Sequence, residues 1–118
     1  MSHEEYVRRQ WAELATVLEN ILHEHIGLTE GCRKVVHVLN NLGERENILS
    51  NPFVGYDSES DAYPLGDVRK LWSEEGLANA DREREKTEAH YKDWVFDAAR
   101  KLLEVAYKQS DEAISDDY

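Results

Sequence analysis

The spacing of apolar residues constrains the fold of this chain more than any other feature, because it follows a helical period along most of the sequence. The first stripe recurs at alternating intervals of four and three residues, and it comprises Val7, Trp11, Leu14, Leu18, Ile21 and His25. Such spacing is typical of a helix with one buried face. A brief extended piece at Phe53-Val54 has no partner strand elsewhere, so the sequence predicts an all-α fold.

Small and polar residues mark the ends of the first two predicted helices. Ser2, followed by Glu5, has the form of an N-terminal capping box, and Gly27 suits the left-handed position after a helix end. Thr29 can cap a second helix, which Gly43 closes. The second helix places five apolar residues on one face: Cys32, Val35, Val36, Leu39 and Leu42. The link between the two predicted helices is only about two residues long, which predicts that they are antiparallel neighbours.

The middle of the chain loses the helical period. Residues 44–50 can add one or two turns that bury Ile48 and Leu49, and Pro52 then stops helical progress. Residues 51–66 contain both prolines and two of the six glycines. We expect an acidic and aromatic loop of about 15 residues here, and loops of that length in compact domains are often functional or mobile.

The second half of the chain predicts one short helix and one long one. Asp67 can cap the short helix, which would bury Val68, Leu71 and Trp72. Ser73 with its two following glutamates is a further helix start, and from about Ala78 the chain is typical of a single long helix. The predicted stripe of that helix comprises Thr87, Tyr91, Trp94, Val95, Ala98, Leu102, Val105 and Ala106.

Together these elements predict an irregular bundle of four to five helices with a long C-terminal helix. Residues 1–109 form a single domain in this interpretation, and residues 110–118 form an acidic, frayed tail. The alternative is an open protomer of two or three helices that dimerises through the C-terminal stripe. Trp94 and Phe96 lie about 200° apart on a helix, so one can serve the core and the other a homodimer interface.

Composition excludes several classes of function. The 118 residues carry a net charge of −11, which argues against direct binding to nucleic acid phosphates or to anionic membranes. A single cysteine excludes an internal disulfide framework. The N-terminus is acidic, without the apolar run of a signal peptide, and no stretch has the length of a membrane span. The expected location is therefore cytoplasmic, and no cofactor is predicted.

Three patterns in the sequence resemble parts of enzyme or metal sites, and none is complete. Glu19 and His23 share a helix face and could give two metal ligands, but His25 points about 200° away from His23. The acids from Asp57 to Asp61 match the start of a calcium loop, which then lacks its glycine and final glutamate. Cys32 lies near a helix N-terminus, where a thiol can be activated, yet it continues an apolar stripe.

The middle segment contains the surface that the sequence favours as a partner-binding site. Its residues are Tyr56, Asp57, Glu59, Asp61 and Tyr63. Tyrosine supplies contact area at low entropic cost, and the acids attract a basic partner. Residues 57–118 carry 17 acids against 9 bases, so most of the negative charge lies in this half. The alternative is that Phe53 and the tyrosines hold the loop onto the bundle, with the acids only solvated.

The sequence favours a small acidic protein–protein interaction module that binds and occludes a basic protein surface. An immunity or inhibitor protein and a regulatory subunit both have this character. Two alternatives stay open: a metal-dependent hydrolase that uses Glu19, His23 and the acids between Asp57 and Asp61, and a structural helical scaffold without a specific site. The absence of a catalytic motif favours the non-enzymatic interpretation.

Overall fold

The computed structural model describes residues 2–115, with side chains up to residue 110, and every regular element in this range is a helix. Within this range the α-helices are α1 (His3–Leu22), α2 (Leu28–Leu42), α3 (Asn51–Ser60) and α4 (Glu74–Ser115). Two short 3₁₀ helices, Ile48–Ser50 and Gly66–Leu71, flank α3. The predicted all-α bundle with a long C-terminal helix is confirmed, and the described residues contain no strand.

The core lies where α1, α2 and α4 meet, with α3 covering one side of α2 and α4. Helix α1 runs antiparallel to α4: Glu24 after its end pairs with Lys92 at 3.0 Å, and Arg8 near its start lines a groove with Ser110. The fully buried apolar side chains come from all four helices and include Leu14, Leu18, Val35, Leu39, Phe53, Tyr56, Val95 and Leu102. One contiguous core therefore holds the four helices together.

Two of the predicted helix boundaries are confirmed, and two are wrong. The Ser2 hydroxyl accepts a hydrogen bond from the Glu5 N–H at 3.1 Å, and Gly43 takes the left-handed conformation with φ 71°. Helix α1, however, ends at Leu22 rather than at Gly27, and Gly27 instead precedes α2. Thr29 accordingly lies inside α2, where it is buried instead of capping the helix.

The early end of α1 has a packing reason. Ile26 and Leu28 both pack against the core, which they reach because the chain turns at residues 23–27. Glu24 makes this turn with φ 57°, and the His25 N–H donates to the Asn20 carbonyl at 2.9 Å. This is the bond pattern of a left-handed helix terminator, formed here around a glutamate instead of the usual glycine.

The expected loop at residues 51–66 is corrected by the structure, because its first ten residues form α3. Pro52 lies in the first turn of this helix, where backbone N–H groups have no intrahelical partner, so its missing N–H costs no hydrogen bond. Phe53, Tyr56 and Ser60 follow at intervals of three and four and are all buried. Pro52 therefore belongs to the start of a helix and does not stop one.

Four apolar residues predicted to be buried are exposed. They are Ile48, Val68, Leu71 and Trp72, of which Leu71 is 87% exposed. Leu49, by contrast, is partly buried against the core. The chain from residue 61 to residue 73, called the connecting segment below, contains three of these exposed residues. Its attachment to α4 is polar, since Arg69 donates two 2.9 Å hydrogen bonds to Asp81.

Helix α4 begins earlier than predicted and extends along the whole molecule. Ser73 caps it by accepting a hydrogen bond from the Gly76 N–H at 3.0 Å. Its 42 residues give the protein an elongated shape of 58 × 29 × 25 Å. The predicted acidic tail 110–118 starts within this helix, and its residues 116–118 lie outside the described residues. No helix in the described part of the chain is both long and apolar enough to cross a membrane.

Candidate functional site

Four of the five residues that the sequence favours as a site belong to α3 or follow its last residue. Tyr56, Asp57 and Glu59 lie within the helix, and Asp61 follows its last residue. Tyr56 is fully buried, Asp57 is partly exposed, and Glu59 and Asp61 are exposed. The structure thus separates the set into a buried anchor and an outer acidic surface, which we call the α3 acids: Asp57, Glu59 and Asp61.

Tyr56 belongs to the core and does not contribute to the exposed surface. Its hydroxyl lies 2.6 Å from the Thr29 hydroxyl, which also donates to the Glu88 carboxylate at 3.1 Å. Because threonine has a single hydroxyl hydrogen, Tyr56 must be the donor to Thr29. Burial raises the pKa of the Tyr56 phenol, which keeps this donor protonated. The ring packs edge-on against Tyr91, with centroids 5.4 Å apart.

The end of α3 is held by Arg33 and Tyr63. The Arg33 guanidinium donates to the carbonyls of Ser60 at 2.6 Å and of Tyr63 at 3.0 Å. A cation at a helix C-terminus also interacts favourably with the helix dipole. The half-buried Tyr63 forms a 2.7 Å hydroxyl pair with Thr87 of α4. Tyr63 therefore anchors the chain after α3, much as Tyr56 anchors the helix itself.

Asp57 is the most constrained of the α3 acids. Its carboxylate lies 4.0 Å from the Arg33 Nε, and its side chain is 29% exposed. Burial raises the pKa of the Asp57 carboxyl above its usual value, while the charge of Arg33 opposes the rise and that of Asp61 adds to it. The ionised form of Asp57 is therefore held at a cost to folding stability, a pattern that is enriched at functional sites.

The α3 acids lie on both sides of the helix instead of converging on one point. Asp57 faces α2 through its contact with Arg33, while Glu59 faces α4, where it interacts with the Tyr91 hydroxyl. The pKa of the Tyr91 phenol is raised, mainly by burial and further by the Glu59 carboxylate. The exposed Ser58 lies between them. Such an arrangement can present a broad negative surface to a protein but offers no shared ligand set for an ion.

The aromatic pair of the partly buried Tyr91 and the exposed Trp94 adjoins Glu59 through Tyr91, outside the site that the sequence favours. The sequence places Trp94 on the apolar stripe of the last helix and allows either Trp94 or Phe96 to serve the core. In the structure Trp94 is 53% exposed and stacks on Tyr91, with ring centroids 5.9 Å apart. The buried stripe runs instead through Val95, Ala98, Ala99, Leu102 and Ala106. The signal was present: this sequence of three- and four-residue steps leaves Trp94 at the edge of the buried face.

Of the two aromatic residues Trp94 and Phe96, it is Phe96 that packs against the core. It is partly buried there, and the Lys92 ammonium lies 5.5 Å from its ring centroid. The two side chains therefore lie on different faces of α4, as the sequence predicted, with Phe96 on the core and Trp94 exposed.

The residues of the metal-dependent alternative do not form a ligand set. Because α1 ends at Leu22, His23 and His25 lie closer than on a continuous helix, with ring centroids 5.6 Å apart, and both are exposed. Glu19 accepts a hydrogen bond from the Tyr107 hydroxyl. Among the described residues no group of three histidine, cysteine, aspartate or glutamate side chains is arranged to hold a metal ion.

Cys32 has the environment of an unreactive core thiol. Its side chain is fully buried, and burial raises the pKa of the thiol, with smaller contributions from the charges of Asp57 and Glu88. A nucleophilic cysteine needs the opposite: partial exposure and a lowered pKa. The structure thus favours the packing role that the apolar stripe indicated.

A cavity of about 290 Å³ lies between the α1–α2 turn and α4. Ile21, Leu28 and Phe96 supply its apolar lining, and charged groups lie at its rim. These charges already have partners within the protein, since Lys92 pairs with Glu24 at 3.0 Å. Ligand pockets usually contain polar groups that fix a ligand's orientation. In this cavity Lys92 and Glu24 bind each other instead.

Comparison of the chain with protein-family models, with curated proteins and with solved structures gave no match. The functional argument therefore depends on the charges, burial and contacts described above.

Proposed function

We propose that the protein is a small acidic interaction module that binds and occludes a basic surface of a partner protein, with α3 at the centre of the contact. The observation that carries this proposal is the rigid mounting of the α3 acids. The helix beneath them is anchored by Tyr56 in the core, and its end is held by Arg33. Charges that are already positioned lose little conformational freedom on binding, which favours affinity.

The overall charge supports the same function. A net charge of −11 on 118 residues attracts a basic partner over several ångströms and increases the rate of encounter. The raised pKa of Asp57 adds a local argument, because a partner cation would stabilise a carboxylate that burial disfavours in the free protein. An inhibitor, an immunity protein and a regulatory subunit would all use such a surface.

Capture of partners from native lysate at low salt is the first test. The immobilised wild type is compared with the α3 variant Asp57→Asn/Glu59→Gln/Asp61→Asn. We expect one dominant basic protein on the wild type and its loss from the variant. The captured protein is then purified and titrated, where we expect at least about tenfold weaker binding by the variant and a smaller dependence on salt concentration.

A control variant separates the position of the charges from their number. Glu13→Gln/Glu85→Gln/Glu104→Gln removes three exposed acids from α1 and α4, so it has the same net charge as the α3 variant. We expect this control to keep the partner. Equal weakening by the two variants would reduce the effect to net charge, and equal binding by the wild type and the α3 variant would contradict the proposed site.

A further inference from the structure

The most exposed tryptophan of the chain is supported from below by a series of aromatic contacts. Trp94 is 53% exposed, and its ring stacks on Tyr91 at an interplanar angle of 26°. Tyr91 in turn packs edge-on against the buried Tyr56. The Trp94 ring is therefore placed by the core, although more than half of its surface is in water.

An exposed tryptophan on a rigid support is suited to cations. The face of an indole ring attracts cations more strongly than a phenol or phenyl ring does, and arginine is the commonest partner because its planar guanidinium also stacks. Tryptophan and arginine are, with tyrosine, the residues that most often dominate protein interfaces. Burying this exposed ring against a partner also removes apolar area from water.

The charges around Trp94 favour a cation over a second copy of the chain. Glu59 interacts with the hydroxyl of Tyr91, the ring on which Trp94 stacks. Asp93 and Asp97 are exposed neighbours on α4, and Lys101 pairs with Asp97 at 3.0 Å. These groups sum to a net negative charge, and each copy of the protein carries −11 in total. Self-association through this face would bring like charges together, whereas a basic partner would neutralise them.

We infer that Trp94, Tyr91 and Glu59 form a recognition site for an arginine side chain of the basic partner. The guanidinium would lie on the open face of the Trp94 ring, with the Glu59 carboxylate as its counter-charge. This inference rests on the proposed function and extends the contact surface from α3 across to α4. It also names the partner chemistry: an arginine-containing basic segment, with lysine as a weaker substitute.

The test uses two synthetic peptides of twelve residues that differ only in their basic residue. One carries four arginines spaced by glycine and serine, and the other carries four lysines at the same positions. Each is titrated at low salt by fluorescence anisotropy of a label on the peptide. We expect the wild type to bind the arginine peptide about two- to fivefold more tightly than the lysine peptide.

Two matched variants assign this preference to its site. We expect Trp94→Ala to abolish the preference for arginine, and Trp72→Ala to retain it, because Trp72 is a similarly exposed tryptophan on the connecting segment (41% against 53%). We expect Glu59→Gln to weaken arginine-peptide binding about twofold or more, and Glu13→Gln, an exposed acid on α1, to leave it unchanged. Circular dichroism checks that each variant remains helical.

Failure of the inference and failure of the proposed function give different results. If Trp94→Ala binds both peptides as the wild type does, while the α3 variant loses binding, the inference is overturned and the proposed function stands. If the wild type binds neither peptide at low salt, both are overturned. A dimer in sedimentation that depends on Trp94 would assign this face to a second copy and likewise overturn the inference.

Discussion

At the scale of single residues, the hydroxyl of Tyr56 links three helices. Tyr56 of α3 donates to Thr29 of α2, and Thr29 donates to Glu88 of α4. Each oxygen in this hydrogen-bond relay therefore has a partner. The relay fixes the position of α3, and with it the position of the α3 acids.

We expect Tyr56→Phe to lower the free energy of unfolding by about 1 kcal/mol, because it removes a buried hydrogen bond while preserving the packing of the ring. Urea denaturation measures the change. Tyr63→Phe is the control: its hydroxyl pair with Thr87 is only partly buried, so water can replace the lost partner and the loss is smaller. An equal loss in both variants would contradict the structural role of the relay.

Asp57 illustrates the opposite balance, a charge that the fold disfavours. Its pKa is raised by burial, so the folded protein binds the Asp57 proton more tightly than the unfolded chain does. Ionisation above about pH 4 therefore reduces stability, and protonation as the pH falls restores it. Replacing the Asp57 carboxylate by a neutral group should therefore stabilise the fold, although Asp57 is a binding residue in the proposed function.

We accordingly expect Asp57→Asn to unfold at a higher temperature than the wild type at pH 7, and we expect this advantage to disappear below about pH 4. Thermal unfolding followed by circular dichroism between pH 3 and pH 8 measures the difference. Asp61→Asn is the control, since Asp61 is exposed. A wild type more stable than Asp57→Asn at pH 7 would show that the Arg33 contact outweighs the burial of the carboxylate.

At the scale of elements, the end of α1 depends on one unusual backbone conformation. Glu24 adopts φ 57°, a region that costs a residue with a side chain about 1–2 kcal/mol. Its exposed ion pair with Lys92 returns at most about 1 kcal/mol. The conformation persists because the turn brings Ile26 and Leu28 onto the core.

We therefore expect Glu24→Gly to be more stable than Glu24→Ala by about 1 kcal/mol. Both variants lose the ion pair with Lys92, so their difference isolates the backbone conformation. Urea denaturation compares the two directly. If the alanine variant were the more stable, the left-handed turn at residue 24 would be wrong.

The connecting segment is a second element whose position depends on few contacts. Arg69 binds Asp81 through two hydrogen bonds, and these are the main reason that the pKa of the Asp81 carboxyl is lowered. Val68, Leu71 and Trp72 remain largely exposed, so little apolar burial adds to this attachment. Such segments open locally without unfolding the rest of a protein.

We expect Arg69→Ala to accelerate amide hydrogen exchange in residues 66–73 by about tenfold or more, while exchange in α1 and α2 stays unchanged. Mass spectrometry of peptic fragments resolves these regions. Lys70→Ala is the control, because its ion pair with Asp67 lies in solvent within the segment itself. Faster exchange throughout the core would contradict local opening and indicate a global role for the pair.

At the scale of the whole molecule, shape and charge act together. The radius of gyration is 15.9 Å, whereas a spherical domain of this length has about 13.5 Å. The elongation comes from α4, whose 42 residues run along the long axis of the molecule. A net charge of −11 adds repulsion between distant parts of the chain, which opposes the compact state.

We expect the melting temperature to rise by about 2–5 °C between 0.02 and 0.5 M sodium chloride, since screening weakens this self-repulsion more than it weakens the few exposed ion pairs. Differential scanning calorimetry measures the shift. The control variant Glu13→Gln/Glu85→Gln/Glu104→Gln, with three fewer negative charges, should rise less. A melting temperature that falls with salt would show that ion pairs dominate.

Local sequence determined the helical class, the long C-terminal helix and the ends at Ser2 and Gly43. These depend on apolar periodicity and on backbone conformations that neighbouring residues impose. The acidic character and the exposure of Glu59 and Asp61 also follow from sequence, because ionised side chains seldom enter a core without a partner.

Only the tertiary structure decided which aromatic rings are buried. Tyr56 and Trp94 both follow a helical spacing, yet Tyr56 is fully buried and Trp94 is 53% exposed. The difference arises because α3 packs across α2 and α4, where its own Tyr56 is buried against Tyr91, while Trp94 stays exposed on α4. The helical period predicts which side chains share a face of a helix. How much of that face is buried depends on the helix that packs against it, and those contacts join residues that are distant in sequence.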